Sequence, residues 1–204
     1  MTRGRLRYLF HATAGLIVVA LCGYLVRAGE PLTFETDLFE AINGGPDSLQ
    51  RIAWLPMQFG NLVVVPLLVI GALAFRKWRL AIALAIVGVG KLVLEALVKS
   101  MVVRHRPAQI MADVILRDAP ATGRGFLSGH AVIAVGVATV AYPYLSSRWR
   151  VAVWTLAAVV IIGRVYVGAH LPLDVVAGAA LGWSIGSIAN LITLSDDVVG
   201  PRPQ

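Results

Sequence analysis

Three short segments carry the residue types that could do chemistry. They are residues 99–107 (KSMVVRHRP), 126–131 (FLSGHA) and 164–174 (RVYVGAHLPLD). Together they supply cations, imidazoles, a hydroxyl and a carboxylate: Lys99, Arg106, Arg164, His130, His170, Ser128 and Asp174. Arginine forks match the oxygens of a phosphate dianion bidentately, and lysine adds a point charge. This set of side chains therefore favours a phosphate site.

The backbone around Ser128 and Gly129 could add to such a site. We expect these two residues to begin a helix, where free N–H groups and the helix dipole favour an anion. A glycine at this position lets an oxyanion approach the backbone closely. The second segment is therefore predicted to bind phosphoryl oxygens with its backbone as well as its side chains.

Two histidines and an aspartate can divide the work of a displacement at phosphorus. One imidazole can attack, the other can protonate the leaving alkoxide, and a carboxylate can orient the attacker. Asp174 follows His170 by four residues, a spacing that allows a direct hydrogen bond. The chain offers no acidic cluster for magnesium, so we expect chemistry without a metal or other cofactor.

The composition is typical of a membrane protein. Of the 204 residues, 58% are hydrophobic and only 14% are charged, a balance that is rare in soluble domains. The net charge of +7 is spread between apolar segments without a long basic run, so we expect no nucleic-acid partner. The single cysteine, Cys22, excludes a disulfide framework or a thiolate metal cluster.

Six apolar segments are predicted to cross the bilayer, because about 20 helical residues span its hydrocarbon core. Their approximate bounds are 8–26, 62–75, 80–98, 128–145, 151–167 and 173–193. The acidic segment 29–60 is expected to lie outside the bilayer at the interface. We therefore predict an all-α, polytopic membrane helix bundle of about six transmembrane helices, forming one membrane-embedded domain over residues 1–204.

The basic loops indicate how the bundle is oriented. Six spans place both termini on one side, together with the basic clusters at residues 3–7, 76–79 and 148–150. The positive-inside rule makes that side cytoplasmic and places the three chemical segments on the external face. A basic start before an apolar run also fits a signal peptide, but no clear cleavage site follows, so we expect the first segment to remain as a span. The high arginine-to-lysine ratio favours a GC-rich bacterial genome, so we expect the membrane to be a bacterial plasma membrane.

The order and spacing of the three segments resemble the pattern of the type 2 phosphatidic acid phosphatase superfamily. This superfamily contains the membrane lipid phosphate phosphatases and shares its site with vanadium-dependent haloperoxidases. The matching positions are Lys99 with Arg106-Pro107, Ser128-Gly129-His130, and Arg164 with His170 and Asp174. Two positions depart from the usual pattern, since Leu127 replaces a proline and Gly163 replaces a serine.

The resemblance implies metal-independent hydrolysis of a lipid phosphate or pyrophosphate monoester through a phosphohistidine on His170. It implies His130 as the general acid and Asp174 as the support of His170. The phosphoryl oxygens would bind to Lys99, Arg106, Ser128, Gly129 and Arg164. Polyprenyl phosphates or pyrophosphates, phosphatidate, phosphatidylglycerophosphate and a polyprenyl-linked sugar phosphate are all compatible substrates. Apart from this lipid and the bilayer, the sequence indicates no partner.

Other functions remain open at this stage. The same intermediate could pass its phosphoryl group to a second lipid or a sugar, which would make the chain a phosphotransferase. A non-catalytic lipid transporter could keep the anion site, although binding alone needs no aligned nucleophile and acid. A haloperoxidase is the most remote reading, because it requires bound vanadate and a larger soluble chain.

Several further charges have two readings. Arg104, Arg117 and Arg124 could guide an anionic headgroup or could be solvated loop charges. Lys91, Glu95 and Lys99 are spaced by four residues and therefore share one face of a helix. Glu95 could form an ion pair that only satisfies itself, or it could hold Lys99 in position for phosphate.

Overall fold

The computed structural model describes residues 3–194, so residues 1–2 and 195–204 of the predicted domain lie outside the described part. All of its regular elements are helices, which confirms the predicted all-α bundle. The helices are α1 (Arg3–Leu25), α2 (Thr33–Asn43), α3 (Ser48–Gln58), α4 (Val64–Ala74), α5 (Trp78–Met101), α6 (Pro107–Ile110), α7 (Gly129–Ala141), α8 (Ser147–Tyr166) and α9 (Pro172–Thr193). A short 3-10 turn, Tyr142–Tyr144, follows α7.

Four of the six predicted spans are long and apolar enough to cross a membrane as single helices, namely α1, α5, α8 and α9. The other two contain shorter helices than expected. The predicted span 62–75 holds the 11-residue α4, and 128–145 holds the 13-residue α7 with its 3-10 turn. At 1.5 Å per residue, α4 is about 16 Å long, which is less than the hydrocarbon thickness.

The acidic segment 29–60 folds as α2 and α3, two amphipathic helices that pack on the longer ones. Both contact α8, and α2 also contacts α9. Only residues 59–63 separate α3, in the predicted interfacial segment 29–60, from α4, in the predicted span 62–75. Several large apolar side chains of α3 are exposed, among them Ile52, Trp54 and Leu55, as expected for a helix at a membrane interface.

Helix α9 lies at the centre of the bundle and contacts α1, α5, α7 and α8. Gly178, Gly182 and Gly186 share one of its faces and let α7 approach closely. A Cβ atom at Gly182 would run into the backbone carbonyl oxygen of Val132, and one at Gly186 would lie 2.7 Å from the Cβ of Thr139. The short α7 is therefore held along its length by α9.

The loops collect at two opposite ends of the bundle. At one end, Gly23 near the end of α1 packs against Val102 and Phe126, which bound the long loop between α5 and α7. At the other end, Arg76, Lys77, Arg79 and Tyr144 line a common depression, and Arg150 stacks on the ring of Tyr142. We call the end with Gly23, Val102 and Phe126 the site end, and the end with Arg76, Lys77 and Arg79 the basic end.

An apolar cavity of about 530 Å³ lies between α4, α5, α7 and α8. Phe59 lines it near the site end, while Phe75 and Leu145 line it near the basic end. Phe59 precedes Gly60, which packs so closely on His130 that an added Cβ would lie 2.9 Å from the Cβ of that histidine. The lining of the cavity thus extends from Phe59, one residue before the contact between Gly60 and His130, to Phe75 and Leu145.

Candidate active site

The ends of three helices bring the predicted site residues together. Arg164 lies in the last turn of α8, and its carbonyl oxygen accepts a hydrogen bond from the backbone N–H of His170 at 3.2 Å. The backbone N–H of Ser128, just before α7, donates to the carbonyl oxygen of Asp174 in the first turn of α9 at 3.0 Å. Arg106 reaches across from the long loop and donates from Nη1 to the carbonyl oxygen of Ala169 at 2.9 Å.

His170 is buried and its side chain is held by the backbone. Its Nδ1 lies 2.9 Å from the carbonyl oxygen of Gly125. A carbonyl can only accept, so Nδ1 carries the hydrogen and Nε2 keeps its lone pair. Burial lowers the pKa of His170, although the Asp174 carboxylate opposes this effect. A neutral imidazole with a free Nε2 is the form that a nucleophilic role requires.

The predicted hydrogen bond between His170 and Asp174 is wrong, because Nδ1 and Oδ2 are 3.8 Å apart. The carboxylate is engaged elsewhere. Oδ2 accepts from the backbone N–H of Leu171 at 2.9 Å, and Oδ1 accepts from Nη1 of Arg104 at 2.9 Å. Asp174 is the third residue of α9, where a carboxylate naturally meets the free N–H groups of the first turn. It acts on His170 through its charge and through the loop that it fixes.

Arg104 is the residue that the sequence did not assign to the site. Its side chain is 0% exposed and joins two fully buried carboxylates, Glu35 on α2 and Asp174 on α9. The two Glu35 hydrogen bonds are 3.1 and 2.7 Å long, and Oε1 of Glu35 also accepts from the backbone N–H of Leu173 at 3.0 Å. Burial opposes the charge of Arg104, but the two carboxylates outweigh it and raise the pKa of the guanidinium. The reading of Arg104 as a solvated loop charge is therefore wrong.

Arg117 is also buried, and it ties the loop before α7 to α2 and α8. It donates from Nη1 to the carbonyl oxygens of Asn43 at 2.7 Å and Tyr166 at 2.9 Å. Its Nε donates to the exposed Asp47 carboxylate at 2.9 Å. Arg117 is thus structural and is neither a solvated charge nor a headgroup guide. By contrast, Arg124 is exposed and donates to the carbonyl oxygen of Lys99.

Three of the predicted phosphate ligands have buried polar atoms without a hydrogen-bond partner within residues 3–194. These atoms are Nε of Arg106, Oγ of Ser128 and Nε of Arg164. Burial lowers the pKa of Arg106, with Asp174 and then Glu95 opposing it. The charges of both arginines act on His170, so they lie around the same imidazole. Buried donors without acceptors cost stability unless a ligand satisfies them, and this set fits the oxygens of an anion.

Lys99 and Gly129 both contact the carboxylate of Glu95. Nζ of Lys99 lies 2.6 Å from Oε1 of Glu95, and Nζ of Lys91 lies 3.0 Å from Oε2. An added Cβ at Gly129 would lie 2.6 and 2.9 Å from the two carboxylate oxygens, so Glu95 rests against the first residue of α7. His130 follows Gly129, and the charges of Arg164 and His170 act on it, which places it in the same site.

The two departures from the family pattern have a packing explanation. Gly163 faces Met57 of α3, and an added Cβ would lie 2.8 Å from both Cγ and Sδ of that methionine. Glycine here makes room for the helix that covers the end of α8. Leu127 is 0% exposed and packs in the main hydrophobic core with Phe126. Within residues 3–194, no group of three or more His, Cys, Asp or Glu side chains is arranged to hold a metal ion.

Comparison with known proteins gives a family for this arrangement. The sequence profile described as the PAP2 superfamily matches residues 76–195, which include all three chemical segments. An undecaprenyl-diphosphatase of Sulfolobus acidocaldarius is 27% identical over 188 residues, which is 91% of this chain and 89% of that protein.

Two crystal structures have a similar fold. LpxE of Aquifex aeolicus superposes with a TM-score of 0.72 at 28% identity, over 78% of this chain and 96% of that one. The first transmembrane PAP2-type phosphatidylglycerolphosphate phosphatase from Bacillus subtilis gives a TM-score of 0.71 at 23% identity, over 89% of this chain and 94% of that one. The present chain belongs to the PAP2 superfamily and is a membrane phosphatase of that superfamily.

Proposed function

We propose that this enzyme hydrolyses a lipid phosphate or diphosphate monoester through a phosphohistidine on His170, without a metal. One observation carries the proposal. Buried atoms of Arg106, Ser128 and Arg164 have no hydrogen-bond partner, and the charges of both arginines act on the His170 imidazole. Nδ1 of this imidazole faces the carbonyl oxygen of Gly125, which leaves Nε2 free to attack. An anion held by these donors would present phosphorus to that nitrogen, and cations that hold the anion also stabilise charge in the transition state.

The proposed reaction has two displacements at phosphorus. Nε2 of His170 attacks, a P–N bond forms, and the bond from phosphorus to the lipid oxygen breaks while His130 protonates the departing oxygen. A water molecule then attacks the phosphohistidine, gives its proton to His130, and releases inorganic phosphate as the P–N bond breaks. Lys99, Arg106, Arg164, Ser128 and the backbone of Gly129 bind the phosphoryl oxygens in both steps. Asp174 keeps the loop of His170 in place and stabilises the positive charge that the imidazole gains.

The apolar cavity supports a lipid as the substrate. Its lining reaches Phe59, and the next residue, Gly60, packs on His130, so a lipid whose phosphate lies at His170 could pass its tail into it. Tail burial in a cavity of this kind is driven by the area of apolar surface removed from water. The relative from Sulfolobus acidocaldarius is named for an undecaprenyl diphosphate, which keeps a polyprenyl diphosphate among the candidate substrates.

The protein is an integral membrane protein. We propose that it lies in a bacterial plasma membrane with cytoplasmic termini and an external active site. The basic end, with Arg76, Lys77, Arg79 and Arg150, satisfies the positive-inside rule if it faces the cytoplasm. The site end also holds cations, but Arg104 and Arg117 are neutralised there by buried or adjacent carboxylates.

A phosphotransferase using the same intermediate is the second candidate. Purified protein assayed in detergent with candidate lipid phosphates, EDTA and no acceptor should release inorganic phosphate if water is the acceptor. Release only after a second lipid or a sugar is added would favour phosphotransfer instead. A requirement for magnesium would contradict the proposed mechanism.

The nucleophile is tested with a matched pair of histidine variants. We expect His170→Ala to lower kcat/KM by about 10³-fold or more, as is usual when a covalent nucleophile is removed. His105→Ala is the control, because His105 is exposed and lies in the adjacent loop. A radiolabelled phosphoenzyme that is labile to acid should be trapped with the control and not with His170→Ala. Equal activity of the two variants would exclude His170 as the nucleophile.

A further inference from the structure

Lys91 is a cation within a helix that is long and apolar enough to span the membrane. It lies on α5 two helical turns before Lys99, toward the middle of the helix. Its side chain is 19% exposed and pairs with Glu95 at 3.0 Å. Charged side chains within membrane spans usually mark a substrate site or pathway, because burying them near hydrocarbon is costly. The mechanism described above gives Lys91 no role.

The partner of Lys91 already occupies part of the phosphate site. Glu95 bridges the ammonium groups of Lys91 and Lys99, and its carboxylate rests on Gly129 at the start of α7. An anion is favoured there by the free N–H groups and the dipole of the helix. Two ammonium groups around one bidentate anion can hold a phosphoryl group in the same way. Glu95 thus stands where a second phosphoryl group would meet both lysines.

Lys91 also acts on the histidine proposed to protonate the leaving group. Its charge acts on His130, the proposed acid for the leaving group. When a lipid monophosphate is cleaved, the leaving oxygen becomes a neutral alcohol once it is protonated. When a lipid diphosphate is cleaved at its terminal phosphorus, the leaving group is an anionic lipid monophosphate. A cation whose charge reaches His130 stabilises the second leaving group far more than the first.

We propose that Lys91 binds the lipid-proximal phosphoryl group of a lipid diphosphate, in the place that the Glu95 carboxylate holds in the unliganded enzyme. This inference rests on the proposed function and names the substrate class of the same site. His170 attacks the terminal phosphorus, the bond from that phosphorus to the bridging oxygen breaks, and the lipid monophosphate leaves with a proton from His130. Water then releases the terminal group as inorganic phosphate.

The test compares a lipid diphosphate with the monophosphate of the same lipid, so that tail binding cancels. We expect Lys91→Gln to lower the ratio of kcat/KM for diphosphate over monophosphate about tenfold, the usual effect of losing one charge-assisted hydrogen bond. Lys77→Gln is the matched control, since Lys77 is exposed just before the first residue of the same helix, at the basic end, and should leave the ratio unchanged. An unchanged ratio in Lys91→Gln would overturn the inference.

A second measurement keeps the inference testable if Lys91→Gln does not fold. Methylenediphosphonate and inorganic phosphate serve as soluble inhibitors of wild-type enzyme and of Glu95→Gln. Because the amide no longer competes as an anion, we expect methylenediphosphonate to inhibit Glu95→Gln severalfold more strongly than wild type, with a smaller gain for phosphate. Equal or weaker inhibition by methylenediphosphonate would contradict the role of Glu95. If wild-type enzyme hydrolyses neither lipid, the proposed function itself fails, and this outcome is distinct from a loss of discrimination.

Discussion

The backbone carbonyl of Gly125 positions the His170 side chain and determines which ring nitrogen carries the hydrogen. The Gly125 oxygen fixes the hydrogen on Nδ1, and burial disfavours the charged imidazolium. Asp174 is too distant for a hydrogen bond but close enough for its charge to favour the imidazolium that forms during attack. The imidazole is therefore neutral near pH 7, and Asp174 would stabilise the positive charge that it gains in the proposed attack.

The lowered pKa of His170 is directly measurable. Because the folded-state pKa lies below the ordinary value of 6.5, the imidazole should stay neutral through neutral pH and gain its proton only below 6.5. NMR of histidine-labelled protein in detergent can follow this titration, with the His170 signal identified by its loss in His170→Gln. Protonation of His170 at or above pH 6.5 would be incompatible with the burial seen here.

The buried ion pair of Glu35 and Arg104 should contribute more to the free energy of unfolding than any exposed carboxylate of α2. Glu35→Gln removes the charge from a fully buried ion pair, so we expect a loss of roughly 1–3 kcal/mol in the free energy of unfolding. Glu40→Gln is the matched control, because Glu40 is exposed on α2, and it should change stability by less than about 0.5 kcal/mol. Thermal unfolding in detergent measures both, and similar midpoints for the two variants would disprove the structural importance of Glu35.

The sequence could predict which residues cluster at the site, but not how Asp174 and Arg104 are bonded. Site residues were identifiable because charged residues are rare in this chain. Those of the three chemical segments also have the order and spacing of the family pattern. The spacing of His170 and Asp174 allowed a hydrogen bond, but it could not show that the first turn of α9 takes the carboxylate instead. Arg104 lies 69 residues from Glu35 and 70 from Asp174, and no local pattern joins such distant partners.

Apolar runs predicted where the spans lie but not how long their helices are. The run at 62–75 is fully apolar until Arg76, yet its helix begins only at Val64, after the turn at residues 59–63. Hydropathy measures the tendency to enter lipid, whereas helix length also depends on packing partners. Helix α7 can be short because the glycine face of α9 holds it closely.

The close packing of α7 on α9 can be tested with a pair of glycines. Gly182→Ala places a methyl group against the carbonyl oxygen of Val132, which is backbone and cannot move aside alone, so we expect a loss of about 1–3 kcal/mol in the free energy of unfolding. Gly71→Ala on α4 is the control, because a Cβ there meets nothing within 4 Å. Its higher helix propensity should leave stability unchanged or slightly increased. Equal losses in both variants would show that the α7–α9 contact does not determine the stability of the bundle.

At the scale of the whole molecule, the two ends differ in how their charges are satisfied, and this difference predicts the orientation. The basic end presents exposed cations at Arg76 and Lys77, while Arg104 and Arg117 at the site end are paired with carboxylates of the protein. Only charges that the protein leaves to the surroundings should respond to the positive-inside rule. We therefore expect the basic end to face the cytoplasm and the proposed active site to face outward, where it can reach lipids of the outer leaflet.

Single cysteines can report this orientation in intact cells. The only native cysteine, Cys22, is buried in α1, so a Cys22→Ala background removes it. Asp113→Cys places a thiol on an exposed residue of the site-end loop, and Ser147→Cys places one on an exposed residue at the basic end. A membrane-impermeant maleimide should label the first variant in intact cells and the second only after permeabilisation. The reverse pattern would place the active site in the cytoplasm, and the enzyme would then act on lipids of the inner leaflet.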